Sequence, residues 1–199
     1  MTDIDPKSIL FSLPTLCDGT PAVEPGTRPD NCYSLHEDDW RQIEFVPQAN
    51  RAYIDSELQS LAAFKLQNRR GPGWTSVYLR REHPVPLSTV GLHLPQTLSL
   101  SESPLWLGSG PPWGGLVKGG FALSDITNWS IYGQRVANGQ VVQLAVSNGA
   151  SEPSRVLVST IRELVDNFGL LLVDWYAASI VDTTSFDSIL AWTARYHRS

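Results

Sequence analysis

Ser151 to Val181 reads SEPSRVLVSTIRELVDNFGLLLVDWYAASIV, and within it a helix start, a helix face, a helix stop and a buried strand follow one another. Ser151 is placed to cap a helix, its hydroxyl accepting from a free amide of the first turn. Pro153 suits that turn because it has no amide hydrogen to leave unpaired. Leu157, Ile161, Leu164, Val165 and Phe168 recur on one helical face, with Arg155, Arg162, Glu163 and Asp166 largely on the other. Gly169 ends the helix through its access to the left-handed conformation. Leu170 to Val173 are all apolar, which predicts an interior strand covered on both faces, with the helix laid on it.

Alternation along that strand puts Asp174 on the face of Leu170, Leu172 and Tyr176. A carboxylate there must be paired, protonated or placed where the strand meets solvent. It is therefore either a structural acceptor for a neighbouring loop or arginine, or an acid, base or ligand at the mouth of a pocket.

Outward from this stretch, Thr184 to Tyr196 predicts a last amphipathic helix with Phe186, Ile189, Leu190 and Thr193 inward. On the other side, Trp129–Val136 and Val141–Val146 flank Asn138-Gly139, the two positive-φ residues of a tight hairpin. A two-residue loop pairs Ile131 with Val146 and Gly133 with Leu144. Before the hairpin, residues 104–120 read as a long irregular loop, because eight of the thirteen residues from Gly108 to Gly120 are Gly or Pro. Trp106 and Trp113 would pin that loop or make it a flap.

Nearer the N-terminus, Ser8–Leu13 predicts a short strand and 14–31 a long irregular excursion dense in turn formers. Trp40–Val46 predicts a strand with Ile43 and Phe45 on one face, stopped by Pro47. Asn50 is placed to cap a helix running to about Arg70, with Ile54, Leu58 and Leu61 on its apolar stripe and Gly71-Pro72-Gly73 breaking it. Trp74–Arg81 reads as a strand with Thr75, Val77 and Leu79 facing one way, and Ser88–Leu94 as another short one. No repeat or linker divides the chain. The 199 residues predict a single α+β domain, a mainly antiparallel sheet with two or three helices packed on one face.

The net charge is −5, and residues 1–57 hold eleven acids against four bases. That sign opposes a duplex-binding surface, which needs many Lys and Arg contacts to phosphate. No apolar run is long enough to span a bilayer, and the opening MTDIDPKSILFSL has acids where a signal peptide has bases. The expectation is a cytoplasmic protein that binds neither nucleic acid nor membrane. Cys17 and Cys32 are not in a Cys-x-x-Cys pair, and cytosolic thiols stay reduced.

Templates for chemistry fail in turn. Lys118 is followed by Gly-Gly-Phe rather than Ser or Thr and a helix, so 108–120 is not a phosphate loop. Gly108-Ser109-Gly110 lacks the outer glycines of a nucleophile elbow. His36, Glu37, Asp38 and Asp39 lack metal-ligand spacing, and neither a metal nor another cofactor is expected. Arg69-Arg70 and Arg80-Arg81 read as helix-end and surface charge. The leading expectation is a protein-binding domain, of the kind an immunity protein or antitoxin uses against a basic target. His36, Glu37, Asp38, Asp39, Trp40 and Trp113 would form its contact surface. The alternative is a small hydrolase or transferase with a pocket under the Gly/Pro/Trp stretch, using Asp174 with His83 or His93.

Overall fold

The computed structural model describes residues 10–94, 100–108, 114–149 and 151–196. Three short strands, β1 (Thr15–Cys17), β2 (Val23–Pro25) and β3 (Tyr33–Leu35), lead into β4 (Ile43–Pro47) and helix α1 (Arg51–Asn68). Three more follow as β5 (Arg69–Arg70), β6 (Gly73–Trp74) and β7 (Tyr78–Arg80). The longest strands come next: β8 (Ser101–Leu107), β9 (Gly115–Ser124), β10 (Ser130–Arg135) and β11 (Val141–Ser147). Helix α2 (Arg155–Phe168), strands β12 (Leu170–Asp174) and β13 (Ser179–Ile180) and helix α3 (Phe186–Thr193) complete the set.

Among the described residues nine strands form one sheet, in the order β13-β12-β4-β11-β10-β9-β8-β3 with β2 beside β9. β3 runs parallel to β8, and the other pairings of that sheet are antiparallel. This is the mainly antiparallel α+β fold that the sequence predicts.

The sequence around β12 behaves as its pattern dictates. All five residues of the strand are buried. Leu170 and Leu172 pack with Leu157, Ile161 and Leu164 of α2 and with Ile189 and Trp192 of α3. Leu171 and Val173 face the other way, against Ile54, Leu58 and Leu61 of α1. Helices therefore cover both faces of the sheet rather than one, a correction that follows from a strand apolar at its first four positions. Gly169 closes α2 at φ 59°, but the cap is Ser154, whose hydroxyl accepts from Leu157 N, not Ser151. Pro153 biases the residue before it away from helix, and Asp125 accepts from Ser154 N at 2.8 Å, so the first turn starts later.

The hairpin keeps the expected register, Ile131 opposite Val146 and Gly133 opposite Leu144. It closes less tightly, since the register shifts between Gln134 and Arg135 before the turn at Gly139 (φ 83°). Ile131, Leu144 and Val146 join the α2 and α3 side, and Tyr132 and Ala145 join Leu35, Trp40 and Leu105 on the opposite face.

Six further expectations need correction. Residues 104–107 and 115–120 are strand, not irregular loop. Pro104 sits at a register shift of β8, and a Cβ on Gly115 or Gly119 would run into the Glu24 or Arg135 carbonyl oxygen, so close strand approach requires these residues. The 14–31 excursion holds β1, paired with β7, and β2, paired with β9. Of Ser8–Leu13, the described part makes one bridge, Phe11 to Trp74. Trp74–Arg81 breaks into β6 and β7, and Leu87–Val90 is a 3-10 turn between Pro86 and Gly91 (φ 64°) rather than a strand. Asn50 does not cap α1. Its side chain instead bonds Val85 N and O, at 2.9 and 2.7 Å, and fastens the segment after β7. No helix among the described residues is long and apolar enough to cross a membrane.

Candidate functional site

Between β3 and β4 the chain makes a tight turn from Asp39 to Gln42, closed by Gln42 N donating to Asp39 O. Trp40 takes φ −60° and ψ 119°, and Arg41 takes φ 55°. This is the pattern of a type II turn, with arginine at the position that favours glycine. Tyr132 holds the turn from inside: Arg41 N donates to its hydroxyl at 2.8 Å, and the hydroxyl donates to Asp39 O at 3.0 Å. Trp40 is swung inward and is only 1 % exposed, its ring 5.5 Å from that of Tyr132. It is a core residue, which corrects its expected place on a contact surface.

Behind the turn lies a cluster of buried charge. Arg41 Nε donates to Glu44 Oε2 at 2.6 Å, and Trp175 Nε1 donates to Oε1 at 2.6 Å. His83 Nε2 stands 2.9 Å from the same oxygen, and Arg80 reaches it at 3.5 Å while donating to Arg41 O at 3.0 Å. Arg80 lies over the Trp175 ring, 4.7 Å from its centroid, and His83 stacks nearly parallel to that ring. Glu44 and Arg80 are each 2 % exposed, so Arg80 is not the surface charge its sequence suggests. In β7 it is Leu79 that faces solvent and Arg80 that points in.

Burial works to raise the Glu44 carboxyl, but Arg41, the His83 hydrogen bond and Arg80 outweigh it and hold the group far below the usual carboxylate range. As a carboxylate it can only accept, so His83 donates through Nε2. Its Nδ1 is buried without a partner among the described residues, as are Nε and one terminal nitrogen of Arg80. Beside them β4 and β11 are joined at one register pair, Glu44 with Ala145, and a crevice of about 50 Å³ lined by Glu44, His83 and Gln143 opens in the seam.

Arg41→Gly and Arg41→Ala both remove the guanidinium, so the difference between them reports on the backbone. The glycine variant is expected to be the more stable in urea denaturation by about 1–2 kcal/mol, the cost of a left-handed residue carrying a Cβ. Equal stabilities would show that the turn holds a side chain there without strain.

Asp174 resolves as the structural acceptor. Its Oδ1 accepts from Ala177 N at 2.8 Å, and its Oδ2 accepts from Trp192 Nε1 at 2.8 Å and the Tyr196 hydroxyl at 2.7 Å. Burial, with the carboxylate next to it, pushes the Tyr196 hydroxyl far above its usual value. Asp174 is thus tied to α3 and the turn after it, and His83 to Glu44 and Trp175. No contact brings the two together. His93 is exposed beside the hairpin turn at Gly139. Trp113 and the centre of the Gly/Pro/Trp stretch lie outside the described residues.

The surface side of the turn is concave. A cleft of about 300 Å³ is lined by Leu13, Asp39, Gln42, Ile43, Tyr176 and Tyr196, with Asn148 and Arg195 completing it. A second hollow of about 190 Å³ is lined by Phe11, Leu13, Leu16, Val77 and Asp38. The two share Leu13, and Asp38 and Asp39 belong one to each. His36 caps the short turn Glu37–Asp39, its Nδ1 accepting from Asp38 N at 3.2 Å. Asp39 is exposed as a residue, yet partial removal of its carboxyl from water raises that group above the usual value; His36 works against this, and Asp38 and Glu37 add to it.

Of the residues singled out in the sequence, Asp38 and Asp39 therefore line the two hollows, while His36 and Glu37 belong to the same short turn but line neither. Arg41, Gln42 and Glu44 were missed. Glu44, interrupting Ile43 and Phe45, was the available signal, but it reads as the wet face of a half-buried strand. Among the described residues no group of three or more His, Cys, Asp or Glu is arranged to hold a metal ion. No family model, curated protein or solved structure matches the chain.

Proposed function

We propose that this chain is a protein-binding module that captures a basic segment of another protein, in the manner of an immunity protein or antitoxin facing a basic target. The observation that supports the reading is the pair of hollows meeting at Leu13, with Asp38 lining one and Asp39 the other. Acids set between apolar-walled hollows suit a segment in which cationic and apolar side chains alternate, the charges steering encounter and the hollows adding buried area. A rigid turn holding those acids reduces the ordering cost of binding. The reading places the protein in the cytoplasm, where the unpaired thiols of Cys17 and Cys32 remain reduced. No particular contact favours a hydrolase or transferase, since Asp174 and His83 are each engaged by other parts of the fold.

The test is affinity capture from native lysate by the tagged full chain, at moderate and at high salt. A near-stoichiometric partner is expected, weakened by salt and lost with Asp38→Lys/Asp39→Lys, whose fold is checked by circular dichroism. Capture indifferent to both salt and charge reversal would place the contact elsewhere, and no capture at either salt would overturn the reading.

A further inference from the structure

Gln42 lines the larger cleft but is only 8 % exposed, and its geometry is unusually constrained. Its backbone N donates to Asp39 O, and its backbone O accepts from Trp175 N at 3.0 Å. Both hydrogens of its side-chain amide are engaged, by Thr15 O at 2.8 Å and Asp38 O at 2.7 Å. Two carbonyl partners fix which arm of the amide is nitrogen. The other arm, Oε1, is a buried acceptor with no donor among the described residues. Buried acceptors are ordinarily satisfied, and one left open at the lining of a cleft calls for a donor that arrives from outside.

The rest of the lining specifies the donor's character. The Asp39 carboxylate belongs to the same cleft and requires positive charge. Leu13, Ile43, Tyr176 and Tyr196 offer apolar and aromatic walls, which suit an aliphatic stem and a cation near ring faces. The Tyr196 hydroxyl already donates to Asp174, so it does not compete as a donor to Gln42. Arg195 is the one cation of the lining; it and Asp39 are both exposed and screened alike by solvent, so it is the buried acceptor of Gln42 more than net charge that sets this cleft apart. The volume of about 300 Å³ lies at the low end for ligand sites, the scale of one side chain rather than of a cofactor.

We propose that this cleft receives one lysine or arginine side chain of the partner, its N–H groups donating to Gln42 Oε1 and to the Asp39 carboxylate. The proposal rests on the protein-binding reading and identifies the residue type recognised.

It is tested by NMR titration of the isotopically labelled full chain with n-butylammonium and n-butylguanidinium, which mimic the two side chains, and with 1-butanol as neutral control. Saturable shifts of the Gln42 side-chain amide and of the Ile43 and Asn148 signals are expected from at least one cation, at concentrations several-fold below those butanol requires. The better of the two cations names the side chain. Asp39→Asn is expected to abolish the preference for cations. Tyr176→Ala, at an exposed wall, is expected to weaken the binding without removing that preference, should Asp39→Asn disturb the turn. Butanol acting as well as the cations, or Gln42 signals that stay still, overturns the proposal. If that happens while partner capture remains sensitive to salt and to Asp38→Lys/Asp39→Lys, the cleft assignment fails and the protein-binding reading stands. Amine binding with no partner captured overturns both.

Discussion

Replacing Glu44 with Gln is expected to lower the unfolding free energy by about 3–5 kcal/mol, the usual cost of removing one member of a buried charge network. The reason is what stays behind. Arg41 and Arg80 are buried around Glu44 and would keep their charges there with Glu82, among the described residues, the carboxylate left paired with Arg41. Trp175 Nε1 and His83 Nε2 would still find an amide oxygen, but a neutral acceptor makes weaker bonds than a carboxylate. Replacing the entire cluster by apolar residues of like volume is a different experiment, and it need not destabilise.

The same variant carries a pH signature. The folded-state value of Glu44 is depressed, so its contribution is present above the unfolded value and is lost as pH falls through the folded one. Acid destabilisation therefore begins below about pH 4.3, the value of an unperturbed glutamate, and continues downward. Urea denaturation across this range is expected to show a steeper loss of stability in the natural chain than in Glu44→Gln. Parallel curves would mean that Glu44 is not the carboxylate that acid protonates to loosen the fold.

The second large effect is expected at Asp174. Asp174→Ala removes the acceptor shared by Ala177 N, Trp192 Nε1 and the Tyr196 hydroxyl. Each buried donor left unmade costs about 1–3 kcal/mol, so the summed loss rivals that at Glu44. Tyr196→Phe removes a single donor and is expected to cost about 1.5–3 kcal/mol, the range for a hydrogen bond to a charged group. Combining the two should cost less than their sum, because they break a shared contact. Trp192 lies within that contact, so the fluorescence change, read as a difference against Trp192→Phe because the chain holds seven tryptophans, follows the docking of α3. Strict additivity would sink the idea that Asp174 fastens the C-terminal helix through Tyr196.

These two acids also show where sequence reasoning reaches and where it stops. The α2 face, the stop at Gly169, the two-sided burial of β12 and the pairing of Ile131 with Val146 are legible because each depends on residues close in the chain. Asp174 is legible as an anomaly for the same reason, since it interrupts a local apolar run. The cluster around Glu44 is not, because its members come from positions 41, 44, 80, 83 and 175 and meet only through the tertiary fold. Alone, Glu44 and Arg80 are indistinguishable from the polar side of a half-wet strand, and Trp40 from an exposed anchor. β8 and β9 are obscured differently: composition argues against strand at Pro104, Gly115 and Gly119, whereas a register shift of β8 accommodates the proline and the close approach of neighbouring carbonyls accounts for the two glycines. Of the candidate site, the acids at 37–39 could be read in advance. The turn that presents them could not, since arginine is an unfavoured choice for its left-handed position.

The seam between β4 and β11 is the thinnest ladder within the central part of the sheet. β12 meets β4 at five register positions and β10 meets β11 at six, whereas β4 meets β11 at one. The two halves of the sheet are consequently held to each other by apolar contact, through Ile43, Phe45, Leu144 and Val146 under α2 and α3, more than by ladder hydrogen bonds. Apolar attraction weakens on cooling. Cooling is therefore expected to loosen this joint before the ladders on either side of it, which amide hydrogen exchange in the cold would show as earlier exchange at the seam than within β12-β4 or β10-β11.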